Sequence, residues 1–188
     1  TLYRLRVCPH KTAPHYFLLL DILAADTADR ELETIRSAYQ QAITWQEAPF
    51  APFVLNKKFN TYNGEGEWLG HTIRLALDSD DEQESPTAAA IATLHRLYAA
   101  PQDWHDRLTA HAARELITTA REWQEDAENG NPNLSEAEFA RRIRLEEITI
   151  SEEGGFTAWF DDDNIFWGHV IMVSINADGE FEDAEFAG

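Results

Sequence analysis

The chain has one cysteine, Cys8, and therefore no internal disulfide framework, which suits a reducing compartment. It has no apolar run of membrane-spanning length. The longest, Tyr16 to Ala25, is broken by Asp21 and falls well short of the roughly 20 residues a helical span needs. No basic stretch leads into an apolar segment and a small-residue cleavage site, so the expectation is a cytoplasmic protein. Beyond Arg144 there is no lysine or arginine at all. Walker loop, GxGxxG, GxSxG, HExxH and kinase signatures are missing too, which removes the sequence grounds for the common nucleotide, hydrolase and zinc chemistries.

What is present is acid and aromatic. The net charge is −19 over 188 residues, and it is unevenly spread: residues 1–60 carry six acids and seven bases, 61–140 sixteen and five, 141–188 twelve and three. A one-signed C-terminal surface repels nucleic-acid phosphate and anionic lipid and attracts basic proteins. Six Trp and ten Phe supply ample area for a core, and the length fits one domain spanning 1–188.

Along the chain, apolar strand-like runs at Leu2–Val7 and Tyr16–Leu23 precede a helix capped by Asp26 or Thr27 and reaching about Thr44. Leu32, Ile35, Tyr39 and Ile43 recur on it as one buried stripe. Strands over Phe53–Tyr62 and Trp68–Asp78 flank a turn at Asn63-Gly64-Glu65-Gly66, completing an N-terminal part, 1–78. After a charged loop, Asp78–Glu84, comes a helical middle, 85–143. Ser85-Pro86 starts one helix, a second spans roughly Gln102–Glu128, and a third opens on a Ser135/Glu138 capping box with a Leu134/Phe139 staple. Residues 145–188 read as a four-stranded meander with turns at Gly154-Gly155, Asp161–Asn164 and Asp178-Gly179. The fold class is α+β: central helices flanked by antiparallel β-hairpins, with a C-terminal four-stranded meander.

Two segments echo each other. Trp68-Leu-Gly-His71-Thr-Ile and Phe166-Trp-Gly-His169-Val-Ile share an aromatic-x-Gly-His-x-Ile pattern, as if one hairpin were used twice. The matched His71 and His169 suggest a metal or acid–base pair, but no third ligand stands at a supporting spacing, and half-buried strand histidines bonded to carbonyls explain them more simply. Cys8, His10 and His15 form a loose cluster without a partner pair. Asn176–Glu182 begins like a calcium loop, yet Phe181 occupies its sixth position and Ala187 its twelfth. No catalytic, metal or cofactor residue is assigned.

The block Phe156–Gly188, through Phe166-Trp-Gly-His169-Val-Ile, Asp178-Gly179 and Ala187-Gly188, resembles a bacterial family known only as a domain of unknown function. Some of its members look like antidotes encoded beside polymorphic toxins. The resemblance implies an immunity-type protein that binds a basic toxin domain such as a nuclease, while the acidic field argues against nucleic acid and membrane as partners. The family lends no residue a role; the acidic C-terminal hairpins give the expected surface, Trp159, Asp161, Asp162, Asp163, Glu180, Glu182, Asp183 and Glu185. The competing readings are a small hydrolase or metal-dependent enzyme built on His71 and His169, and a housekeeping interaction domain.

Overall fold

The computed structural model describes residues 2–13, 15–26, 28–79, 85–128 and 130–188, which form two compact units, Thr1–Ala42 and Ile43–Gly188. The N-terminal unit is an antiparallel hairpin, β1 (Tyr3–Pro9) with β2 (Phe17–Ala25), followed by helix α1 (Arg30–Gln40). Asp29, rather than Asp26, caps α1: its carboxylate accepts from the Glu31 and Leu32 amides at 3.1 and 3.0 Å, while Thr27 lies outside the described residues. The helix also stops four residues before Thr44. Its expected buried stripe is exposed at Leu32, Ile35 and Tyr39, whereas Ile43 belongs to the second unit and packs against that unit's core. A helical period shows which residues share a face, but it does not supply a surface to cover them.

The C-terminal unit is built on one eight-stranded sheet. Its strands are β3 (Thr44–Trp45), β4 (Phe53–Asn56), β5 (Thr61–Trp68), β6 (His71–Asp78), β7 (Arg144–Ile150), β8 (Phe156–Asp161), β9 (Val170–Ile175) and β10 (Phe181–Ala187), in the spatial order β10-β9-β8-β7-β6-β5-β4-β3. Every pairing is antiparallel except β6 with β7. That parallel join needs a crossover, supplied by α2 (Ala88–Ala99), α3 (Pro101–Asp126) and α4 (Glu136–Arg142). The expected C-terminal meander, β7 to β10, is therefore continuous with the earlier hairpin.

Strand alternation decides which face the helices cover. In β8 Phe156, Ala158 and Phe160 are buried, and in β9 Ile171, Val173 and Ile175. They align with Leu75 and Leu77 of β6 and Ile148 and Ile150 of β7 under Leu94, Leu97, Leu108, Ala112 and Leu116 of α2 and α3. Among the described residues of this unit, α2 and α3 pack on that face and not on the opposite one. Helix starts follow side-chain capping. Thr87, not Ser85, caps α2 by accepting from the Ala90 amide at 3.1 Å, and α4 has the full Ser135/Glu138 box with Leu134 and Phe139 buried beside it. Of the charged loop before α2, residues 80–84 lie outside the described set.

The expected turn at Asn63–Gly66 is instead the middle of β5; the chain reverses at residues 57–60 and at Leu69-Gly70. The glycines are there for space. A Cβ on Gly64 would lie 2.6 Å from the Phe53 ring, and one on Gly66 2.1 Å from the Tyr98 hydroxyl. Both mark places where an aromatic side chain crosses the strand closely.

The echo is structural. Leu69 and Gly70, with φ of 49° and 89°, close the β5–β6 hairpin by themselves, and Trp167 and Gly168, with 59° and 89°, repeat that left-handed pair within the longer 162–169 connection between β8 and β9. No heavy atom lies within 4 Å of a Cβ built on either glycine, so backbone conformation and not close approach requires them. The register runs Arg74–Glu147–Trp159–Met172 across the sheet, which places His71 and His169 in the same row of two parallel strands. The meanders β4-β5-β6 and β7-β8-β9 thus stand side by side, with the left-handed residue-Gly-His sequence leading into β6 and β9.

Candidate functional site

The sheet face opposite α2 and α3 gives the C-terminal unit a continuous surface for a partner. One row crosses six strands: Glu65, Arg74, Glu147, Trp159, Met172 and Glu185. Strand alternation sends these side chains away from the helices. Trp159 sits in the middle, half-buried, its indole N–H donating to the Thr149 hydroxyl at 2.5 Å. The bases are neutralised locally. Arg74 donates to Glu147 at 2.8 Å and lies 4.0 Å from Glu146, while Arg144 lies 3.3 Å from Glu146 and 3.8 Å from Asp161. Glu65 and Glu67 on β5 and Glu182 and Glu185 on β10 leave both flanks of the face acidic and exposed.

A depression of about 400 Å³ indents one end of this face. The hydroxyls of Thr149, Thr157 and Ser174 line it together with the carboxylates of Asp78, Glu153 and Glu182. Burial, followed by the nearby Glu153 charge, pushes the Asp78 carboxyl above its usual range.

The expected surface acids do not form one patch. Trp159, Asp161 and Glu185 share the open face, and Glu182 lines its depression. Asp183 lies close enough to His111 of α3 to raise that imidazole's basicity, against the burial that lowers it. Glu180 accepts from Asn176 in the β9–β10 turn, and Asp163 pairs with Arg142 at 2.6 Å.

Asp162 is a correction, because it is 2% exposed and belongs to no surface. Its carboxylate accepts from the amides of Asn164 (3.0 Å), Phe166 (2.6 Å) and Gly168 (3.2 Å), through a loop in which Asp163, Asn164 and Trp167 all have positive φ. An Asp in a three-acid hairpin tip reads as solvated, and nothing local reveals that the chain folds back over it.

The two matched histidines do not meet. Three strand spacings separate their row positions, about 14 Å, too far for one metal ion or a shared proton. His169 is held by the Phe166 carbonyl at 2.5 Å from Nδ1 and by the ring of Trp123, whose centroid lies 5.2 Å away. Phe166 stacks on Phe186 at 4.4 Å, and Trp167 lies 4.7 Å from Trp123. The Phe-Trp-Gly-His block therefore fastens the second hairpin tip to α3. His71 sits close enough to His105 of α3 to help lower that imidazole's pKa, behind burial as the main cause and against Asp106. Among the described residues no three His, Cys, Asp or Glu side chains are placed to hold a metal ion, and no helix is long and apolar enough to cross a membrane.

Sequence reasoning reached Trp159, Asp161, Glu182 and Glu185 but missed Glu65, Arg74, Glu147 and Met172. The period-two pattern of β5, with Glu65 and Glu67 alternating against Gly66 and Trp68, was the available signal. The parallel β6–β7 register that unites the row had none. Searches of curated proteins and of solved structures found no match to the chain. A family model does match residues 47–186, which is the C-terminal unit almost entire. The chain belongs to the family described as uncharacterised proteins conserved in bacteria, DUF2262.

Proposed function

We propose that the protein is a binding module that captures a basic protein domain on its open sheet face, in the manner of an immunity protein covering a toxin. The observation that carries this reading is the row across that face, with half-buried Trp159 at its centre and exposed acids at both ends of the row. Anchors at interfaces are typically aromatic and central, surrounded by groups that exclude water. Here Met172 and Thr149 adjoin the indole, and the net charge of −19 steers a basic partner toward it. Arg74 and Arg144 do not oppose that field, because each is tied to carboxylates. The division of labour follows: the flanking acids raise the association rate, and burial of Trp159 slows dissociation.

The test is affinity capture from the native bacterium with the wild-type chain and a Trp159→Ala, Met172→Glu variant, followed by calorimetry with the protein identified. A basic partner retained by the wild type and lost by the variant is the expected result. A partner bound equally by both, or one that is acidic, contradicts the reading.

A further inference from the structure

The N-terminal unit is a second, differently built surface. Ten large apolar side chains of its hairpin are exposed, and they lie on both faces: Phe17, Leu18, Leu19 and Leu20 follow one another in β2, all between 54% and 59% exposed. A strand apolar on both faces is a strand meant to be covered on both faces. Leu32, Ile35 and Tyr39 of α1 add an exposed stripe. Summed over both hairpin faces and α1, these side chains expose on the order of 1,000 Å², and about half of that already matches the ~300–600 Å² of the largest patch on an ordinary monomer. An isolated two-stranded hairpin is also marginal in water.

We propose that this unit pairs with a second copy of this chain, hairpin and α1 stripe against their twofold equivalents. Area and charge select that occupant. A stable interface takes about 800 Å² from each partner, an area this unit reaches where its twofold equivalent engages the α1 stripe and both hairpin faces. Among the described residues of the C-terminal unit the exposed large apolar side chains are Val54, Phe59, Leu69, Trp167 and Val170, spread over separate strands and turns. Charge agrees. Residues 1–42 hold five acids and five bases, so the whole −19 resides in the C-terminal unit, and the N-terminal unit is the part of the chain that does not repel its own copy. The hairpin's edges differ as well. β1 carries Arg4 and Arg6, which guard an edge against pairing, whereas the one charge on β2, Asp21, has Arg6 as its cross-strand neighbour. A self-complementary patch of this kind closes about a twofold axis.

Sedimentation equilibrium of the full chain between about 1 and 100 μM at physiological salt tests the pairing. The expected mass is twice 21.4 kDa at the upper concentrations. Leu18→Glu with Leu20→Glu places two carboxylates on one hairpin face and raises the dimer Kd more than about a hundredfold. All six Trp lie beyond residue 42, so unchanged tryptophan emission shows that the C-terminal unit stays folded in the variant. In the otherwise native chain a nitroxide on Cys8, the single cysteine, exposed on β1, gives a dipolar signal between copies that fades when unlabelled chain is added. A monomeric native chain at every concentration, a dimer that survives both substitutions, or no dipolar signal overturns the proposal.

Discussion

Replacing Gly66 by alanine tests the packing of the sheet's helical face at one atom. Its φ lies outside the left-handed region, so the backbone accepts alanine and only space decides. The new Cβ meets the Tyr98 hydroxyl at 2.1 Å, Leu75 Cδ1 at 2.9 Å and Tyr98 Cζ at 3.0 Å. Tyr98 cannot swing away freely, since its ring stands edge-on to Phe50 at 4.6 Å and to Trp68 at 5.4 Å. Overpacking of this sort costs roughly 1–3 kcal/mol. The entropy lost by glycine on folding returns about 0.5–1 kcal/mol to alanine. The net expectation is a loss of about 1–2 kcal/mol, or a fall of roughly half to one molar in the urea midpoint at unchanged slope.

Tyr98→Phe is the diagnostic partner of that substitution. The Tyr98 hydroxyl is buried with no hydrogen-bond partner among the described residues, and burial pushes its pKa up to about 12. Its removal alone is neutral or stabilising, because an unsatisfied buried group is lost. In the double variant phenylalanine relieves the closest contact and recovers part of the loss, a coupling of about 0.5–1.5 kcal/mol. Tryptophan-monitored urea unfolding of all four proteins is the assay. A neutral Gly66→Ala, or effects that simply add, refutes the claim that Gly66 is there to admit Tyr98.

Three other substitutions probe local chemistry. Ser135→Ala removes the cap of α4 and lowers stability by about 1 kcal/mol in denaturant unfolding; an unchanged midpoint contradicts it. Glu138, its partner in the box, is held below the ordinary carboxylate range first by the Ser135 amide, so its contribution is present above its unfolded value of 4.5 and fades as pH falls through the lowered folded value. Asp162→Asn sets an amide nitrogen or a single oxygen against three backbone donors and costs about 2–3 kcal/mol, while a surface acid would cost next to nothing. Asp78 has the opposite sign to Glu138: its raised folded pKa means that stability is lost as pH rises from 3.8 through the folded value. Asp78→Asn therefore stabilises the protein at neutral pH and not below pH 3.8, and equal effects at both would contradict the burial of that carboxyl.

Local chemistry was legible in the sequence wherever one segment sufficed to express it. The Ser135/Glu138 box and the apolar runs that become β7 to β10 depend on neighbours within a few residues, whereas Leu69-Gly70 and Trp167-Gly168 read as strand in the sequence and prove to be turns. The failures share a cause. Gly64 and Gly66 look like turn residues, but Phe53 and Tyr98 cross there. Asp162 looks solvated until the chain closes over it. Leu32, Ile35 and Tyr39 form a helical stripe whose cover is not in the helix. The candidate site was half visible for the same reason: Trp159 and the acids of β10 stand out in composition, but Glu65, Arg74 and Glu147 join them only through the parallel pairing of strands 70 residues apart.

Steering and anchoring on one face make separate kinetic demands, which one stopped-flow series measures together. The proteins are the wild-type chain, the Glu65→Gln, Glu67→Gln, Glu182→Gln, Glu185→Gln variant and Trp159→Ala, each mixed with the captured basic domain at several ionic strengths. Exposed charges act over a Debye length of about 8 Å at physiological salt. The account predicts that the four-amide variant associates at least tenfold more slowly at low salt, with a flatter salt dependence and nearly unchanged dissociation, whereas Trp159→Ala speeds dissociation and leaves association alone. Rates and salt slopes equal to wild type in both variants would contradict the assignment of the open sheet face as the binding surface.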